Sequence, residues 1–272
     1  MVTFDNLKAI WGSSPTNVFA VDYNYQILRY DGTSWTSVYS QKSPYRALRD
    51  VWGSSPTDVF AAGDHSTIVH YDGAKWTKQS SGANNHLRAI WGSGPTDVYA
   101  AGILGSVVHY NGFAWSQVPN MKKTFGSKTL STVWGSGPTD VYIAGDTGYI
   151  FRYNGVFWVS KKPTSADLTR IWGKGPADVF ISGTSGTVLR LGPGNTWQSL
   201  KTNTKGSIYS VWGTGPSDVL AAAADGTVIR YDGKTWKASS TGASTPLRGI
   251  WGSSATDVFV VGDDGAILHR GP

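Results

Sequence analysis

An aliphatic residue followed by Trp-Gly occurs seven times along this chain of 272 residues, with the indoles at Trp11, Trp52, Trp91, Trp134, Trp172, Trp212 and Trp251. The intervals are 41, 39, 43, 38, 40 and 39 residues, so the chain is built from a unit of about forty residues. A period of that size is the signature of a β-propeller or a solenoid. Repeats begin near positions 7, 48, 87, 130, 168, 208 and 247, and no Pro/Ser-rich linker or change of composition interrupts them. We therefore expect one domain spanning 1–272.

The second unit shows how the repeat folds. Runs rich in Val, Ile, Thr and aromatics at 48–53, 58–63, 67–71 and 75–79 alternate with Ser-x-Pro-Thr-Asp, Gly-Asp-x-x and Tyr-Asp-Gly. Short strands at about ten-residue spacing with turn chemistry between them indicate an all-β unit, and four per forty residues match a propeller blade. We label these strands A to D. Pro presets φ in the A–B turn, Asx side chains bond nearby backbone N–H groups, and Asp-Gly or Asn-Gly closes the C–D hairpin. A second indole opens strand D at Trp35, Trp76, Trp115, Trp158, Trp197 and Trp236. Both Trp sets are read as structural, packing blade against blade. Six D-strand indoles against seven A-strand indoles place the ring seam at the termini, where Val2–Phe4 is expected to join the last blade and close a seven-bladed propeller of four-stranded blades.

The segments Val59-Phe-Ala-Ala-Gly-Asp64 and Thr67-Ile-Val-His-Tyr-Asp-Gly-x-x-Trp76 resemble Asp-box/BNR-like propeller repeats, and are similar to repeats of the photosystem II stability and assembly factor family. The Trp-Gly-Ser-x-Pro-Thr-Asp-Val element resembles tandem bacterial repeat proteins. These resemblances imply a propeller, and they cover sialidases, lectins and assembly factors together. They favour a secreted or cell-surface location. The N-terminus shows no charged n-region followed by an apolar stretch, so a cytoplasmic location stays open beside it.

Catalysis is not expected. All eighteen acidic residues are Asp, and fifteen fall in repeat turns, leaving Asp5, Asp50 and Asp167 on separate units. Glycoside hydrolysis needs juxtaposed carboxylates, and no nucleophile, phosphate-loop or zinc motif occurs. No cysteine is present, the five histidines lack ligand spacing, and neither metal nor cofactor is expected. His70, His109 and His269 share one strand-C position with Arg29, Arg152, Arg190 and Arg230. We read this cationic position as a side chain stacking on a neighbouring Trp or bonding a turn Asp, rather than as an anion-binding ring.

Length variation gathers in the D–A connections, which share one face with the B–C turns. Loops on a rigid scaffold are where binding residues concentrate. This face is basic and carries aromatics. Its candidate ligand-binding residues are Tyr23, Tyr25, Tyr45, Arg46, Arg49, His65, His86, Arg88, Lys122, Lys123, Phe125, Tyr149, Lys161, Lys162, Tyr209 and Arg248. The expected function is a non-catalytic, lectin-like module for glycans or anionic surface polymers. The alternative is a protein–protein assembly scaffold using the same face. With a net charge of +6 and no nucleic-acid motif, nucleic acid is not an expected partner. No apolar run is long enough to span a membrane as a helix.

Overall fold

The computed structural model describes residues 5–41 and 46–271. The expected closing strand Val2–Phe4, and Tyr45 of the candidate face, lie outside the described residues. Seven antiparallel sheets follow one another as blades, each with its strands in chain order. Six blades have four strands. The seventh has three among the described residues, Leu247–Ser254, Asp257–Gly262 and Ile267–Arg270. In the second blade the strands run Leu48–Ser55, Asp58–Gly63, Thr67–Tyr71 and Trp76–Ser80, close to the positions expected from the repeat. Each strand A touches strand A of both neighbouring blades, and Leu7–Ser14 meets Leu247–Ser254 to complete the ring. No helix is long and apolar enough to cross a membrane among the described residues.

The core is not a single mass. Seven apolar clusters sit at the seven blade-to-blade junctions, for instance Phe19 and Val21 of blade 1 with Leu48 and Val51 of blade 2. Strand B lies between two neighbouring blades and is covered on both sides. That is why Val59–Gly63 is buried throughout and reads as an uninterrupted apolar run rather than an alternating one. Strand D faces outward, and most of its residues are exposed.

The Trp-Gly pair has a steric explanation. Each A-strand indole lies flat against the glycine of the same pair in the next blade. A Cβ on Gly53 would lie 2.6 Å from Cη2 of Trp11; for Gly92 the partner is Trp52 at 2.6 Å, and for Gly12 it is Trp251 at 2.6 Å. Trp91, Trp134, Trp172 and Trp212 stand in the same way against Gly135, Gly173, Gly213 and Gly252. The glycine is therefore required by the indole that the preceding blade places upon it and, at six of the seven positions, by an Asx-turn carbonyl of its own blade within 3.0 Å, not by its own φ.

The D-strand indoles form a second ring further out. Trp76 meets Phe19 edge-on at 6.1 Å, Trp115 meets Phe60 at 6.1 Å, Trp158 meets Tyr99 at 6.3 Å, Trp197 meets Tyr142 at 6.1 Å and Trp35 meets Phe259 at 6.3 Å. Trp236 packs into the cluster of Phe180. The one strand-B position of this set without an aromatic is Leu220, on blade 6. Its outward neighbour would be a D-strand indole of blade 7, and the sequence has none.

The cationic strand-C position is structural, as read, although its stacking partner differs. His70, His109 and His269 bond the turn carboxylates Asp58, Asp97 and Asp257 at 2.6, 2.6 and 2.7 Å. Arg29 donates to Asn17 at 2.7 Å, and Arg152 and Arg230 donate to Asp140 and Asp218 at 2.6 and 2.7 Å. Six of the seven lie over a strand-B aromatic of their own blade rather than a neighbour's Trp; the His269 and Phe259 rings are 3.8 Å apart and nearly parallel. Arg230 is the exception, because its strand-B neighbour is Leu220.

Candidate functional site: the channel mouth and the variable-loop face

The inner end of each strand A presents one side chain to the mouth of the central channel, three residues before the indole. Around the ring these are Lys8, Arg49, Arg88, Ser131, Thr169, Tyr209 and Arg248, and they enclose a cavity of about 90 Å³. One residue further along, the side chains tie blade to blade. Asp50, Thr132 and Ser210 accept the backbone N–H of Ile90, Ile171 and Ile250 in the following blade, at 3.0, 2.9 and 3.3 Å. Strands A of adjacent blades do not pair as a sheet, so these side chains supply polar links between them.

At this same level Arg170 of blade 5 reaches across the channel and donates to Asp50 of blade 2 at 2.8 Å. Asp50 is only 1% exposed. The channel is therefore bridged by an ion pair beneath its mouth. The other two carboxylates without a turn role are also engaged. Asp167 accepts Thr147 N–H at 2.7 Å, and Asp5 accepts Asn6 N–H at 2.7 Å.

The mouth is crowded with positive charge. Arg49 grips Asp64 through two hydrogen bonds of 3.0 and 2.8 Å, and Arg248 grips Asp263 with Nε at 3.1 Å and a terminal nitrogen at 2.5 Å. Burial, together with the charges of Arg248 and Arg49, lowers the Lys8 ammonium below the usual lysine range, against the opposing pull of Asp263 at 3.3 Å. Burial alone would raise the carboxyls of Asp64 and Asp263, but their cationic partners outweigh it and hold both below the ordinary range. Arg88 is exposed and forms no ion pair among the described residues.

The structure sorts the candidate aromatics. Tyr23 is 46% exposed, yet Lys8 and Arg49 lie over its ring at 5.3 and 5.2 Å. Lys128 and Lys162 lie over Tyr149 at 4.2 and 5.3 Å, and Arg248 covers Tyr209 at 4.2 Å. Two expectations need correction. Tyr25 is fully buried against Tyr39, with ring centres 5.9 Å apart. It occupies the left-handed region at φ +64°, and this turns its ring inward. Phe125 is 1% exposed. It ends a short helix, α1 (Met121–Phe125), where the repeat pattern indicates only loop, and it plugs the blade 3–4 junction against Phe151 at 4.9 Å and Trp158 at 5.2 Å.

Of the remaining candidates, Lys122 and Lys123 on α1 are exposed, as are Lys161, Lys162 and His65. Arg46 is half-buried. Lys161 donates to the carbonyl of Asn195. His86 lies 3.0 Å from Asp64, with the His65 ring 4.8 Å away. The structure thus gathers Tyr23, Arg49, Arg88, Tyr209 and Arg248 around the channel, adds Lys8, and leaves α1 and Lys161 at the periphery. Lys8 shares the register of Arg49, Arg88 and Arg248, three residues before the indole, although it is not among the candidate residues; Arg170 sits one residue out of that register and has no such signal.

No family model matches this sequence, and no curated protein matches it. Solved structures do. The chain is similar to YCF48 from Cyanidioschyzon merolae, with a TM-score of 0.79 and 17% identity, over 100% of this chain and 97% of that one. It is also similar to YCF48 bound to D1 peptide, with a TM-score of 0.79 and 14% identity, over 100% of this chain and 93% of the other. At these identities the likeness shows the fold: a seven-bladed propeller.

Proposed function

We propose that the protein is a non-catalytic protein-binding scaffold that holds an acidic segment of a partner against the channel mouth. The observation that carries this reading is the state of the aromatic rings on that face. A sugar stacks on a bare ring face, but Tyr23, Tyr149 and Tyr209 are each covered by cations, while Tyr25 and Phe125 are buried. What the face offers instead is a rigid rim of guanidinium and ammonium groups around a cavity too small to enclose a sugar-sized ligand. Guanidinium groups on a fixed backbone favour carboxylate partners and speed their encounter. The fold likeness to YCF48, one structure of which holds D1 peptide, supports a propeller of this shape as a peptide holder. A lectin-like role is the weaker proposal, since no candidate ring on that face is bare among the described residues.

The test uses the intact chain immobilised in parallel with Arg88→Glu, both exposed to extract of the source organism and, separately, to a glycan array. A protein retained by the native chain and released by the Arg88→Glu variant is the expected result. Selective glycan binding that free monosaccharide inhibits would overturn the proposal in favour of a lectin.

A further inference from the structure

Grooves lie on the outer rim between blades 1 and 2 and between blades 4 and 5, of about 480 and 530 Å³, and one junction departs from them in its lining. Between the outer strands of blades 3 and 4 lies a groove of about 770 Å³. Its walls include Tyr99, Tyr153, Trp158 and Val159, with Phe157 at one end and Lys123 at the other. Two local departures from the repeat set it apart. Strand D of blade 3, Trp115–Gln117, is three residues long where the others have four to six, and the chain then leaves through Pro119 into α1. The C–D hairpins of these two blades also break the polar pattern. Where blades 1, 2 and 6 place Thr33-Ser34, Ala74-Lys75 and Lys234-Thr235, blades 3 and 4 place Phe113-Ala114 and Val156-Phe157. Phe113 is 94% exposed, Val156 79% and Phe157 56%. Val156 and Phe157 line the groove, and exposed apolar side chains of this size beside a groove mark an interaction surface.

The groove has a direction. C–D hairpins and D–A connections lie at opposite ends of strand D, so Val156 and Phe157 form its apolar end and α1, with Lys122 and Lys123, its basic end. No carboxylate lines it. His109, the imidazole in the wall, is already bonded to Asp97. Strand D of blade 4, Trp158–Lys161, runs between the two ends, and four residues of extended strand span about 13 Å.

We infer that this groove docks an extended peptide segment of a protein partner, with an aromatic or large aliphatic side chain seated against Phe157 and Val156 and a carboxylate about three to four residues away on Lys123. The apolar end supplies the anchor and the unopposed lysine sets the polarity. This surface lies on the outer rim and does not depend on the reading of the channel mouth.

The test is a phage library of random dodecapeptides panned on the full chain, with Phe157→Asp as a parallel target and Val156→Lys as the second variant should the first lower the melting temperature. Peptides retained by the native chain and lost on these variants should share a large apolar residue with Asp or Glu three to five positions away. Lys123→Glu should weaken a fluorescein-labelled representative by about tenfold or more, as expected for loss of a charge contact at a binding hot spot, while Arg88→Glu leaves it unchanged. The proposal is overturned if no peptide distinguishes the native chain from the groove variants, if the selected peptides show no acidic preference, or if Arg88→Glu rather than Lys123→Glu abolishes binding.

Discussion

Placing a methyl group on Gly12 should strain the closing junction of the ring, and the strain should be traceable to one side chain. The three nearest atoms to a Cβ there are Cη2, Cζ3 and Cζ2 of Trp251, at 2.6, 2.8 and 2.9 Å. Ordinary carbon contacts lie near 3.5–4.0 Å, so the indole edge would have to retreat by roughly 1 Å. Overpacking of this kind costs about 1–3 kcal/mol, which for a chain of this size corresponds to about 2–4 °C in melting temperature per kcal/mol. Trp251→Ala alone should cost about 3 kcal/mol, the low end for a Trp because the ring is half-buried. In the double variant the added methyl loses its three nearest contacts, so Gly12→Ala should cost clearly less and the pair should couple by about 1–3 kcal/mol. Urea unfolding of the four proteins measures this. Gly137→Ala serves as control, since nothing lies within 4 Å of a Cβ there; its effect should stay within about 0.5 kcal/mol. If Gly12→Ala costs the same with and without the indole, the explanation of the Trp-Gly pair is wrong.

Three further outcomes are expected. Asp50→Ala should destabilise by about 3–5 kcal/mol, because it leaves Arg170 and the Ile90 N–H without their acceptor inside the channel; Asp50→Asn should cost less, and thermal unfolding compares them. Phe125→Ala should cost about 3–5 kcal/mol, whereas Lys122→Ala and Lys123→Ala should stay within about 0.5 kcal/mol, a contrast that calorimetry reads directly. Stability should fall in acid. Asp64, Asp97 and Asp263 are held below the ordinary carboxylate value in the folded chain, by partners that outweigh burial. Their contribution is complete above the unfolded value near 4 and is lost as pH drops through the folded values. A melting temperature that is flat from pH 6 down to pH 3 would contradict that account.

Much of the architecture was legible because its causes are local. Val-Phe-Ala-Ala runs, Pro-Thr-Asp turns and Asp-Gly hairpins dictate strands and their ends within a few residues, and the strand positions of the second unit were readable almost to the residue. The cationic strand-C position was readable too, since its Asx partner lies twelve residues away on the neighbouring strand. The candidate face was less so. Tyr23, Arg49 and Arg248 follow from register, but Tyr25 and Phe125 look like exposed loop aromatics until a left-handed residue and a short helix turn them inward.

The sequence by itself therefore determined the repeat, the strand order and the basic character of the variable-loop face. Only the tertiary structure decided which rings are covered, that Arg170 and Asp50 bridge the channel although 120 residues separate them, and that blades 3 and 4 share a groove with an apolar and a basic end. Strand and turn preferences act over a few bonds and are written into each unit. Coverage, ion pairing across the channel and groove width depend on how seven units are angled around one axis, and no single unit encodes that arrangement.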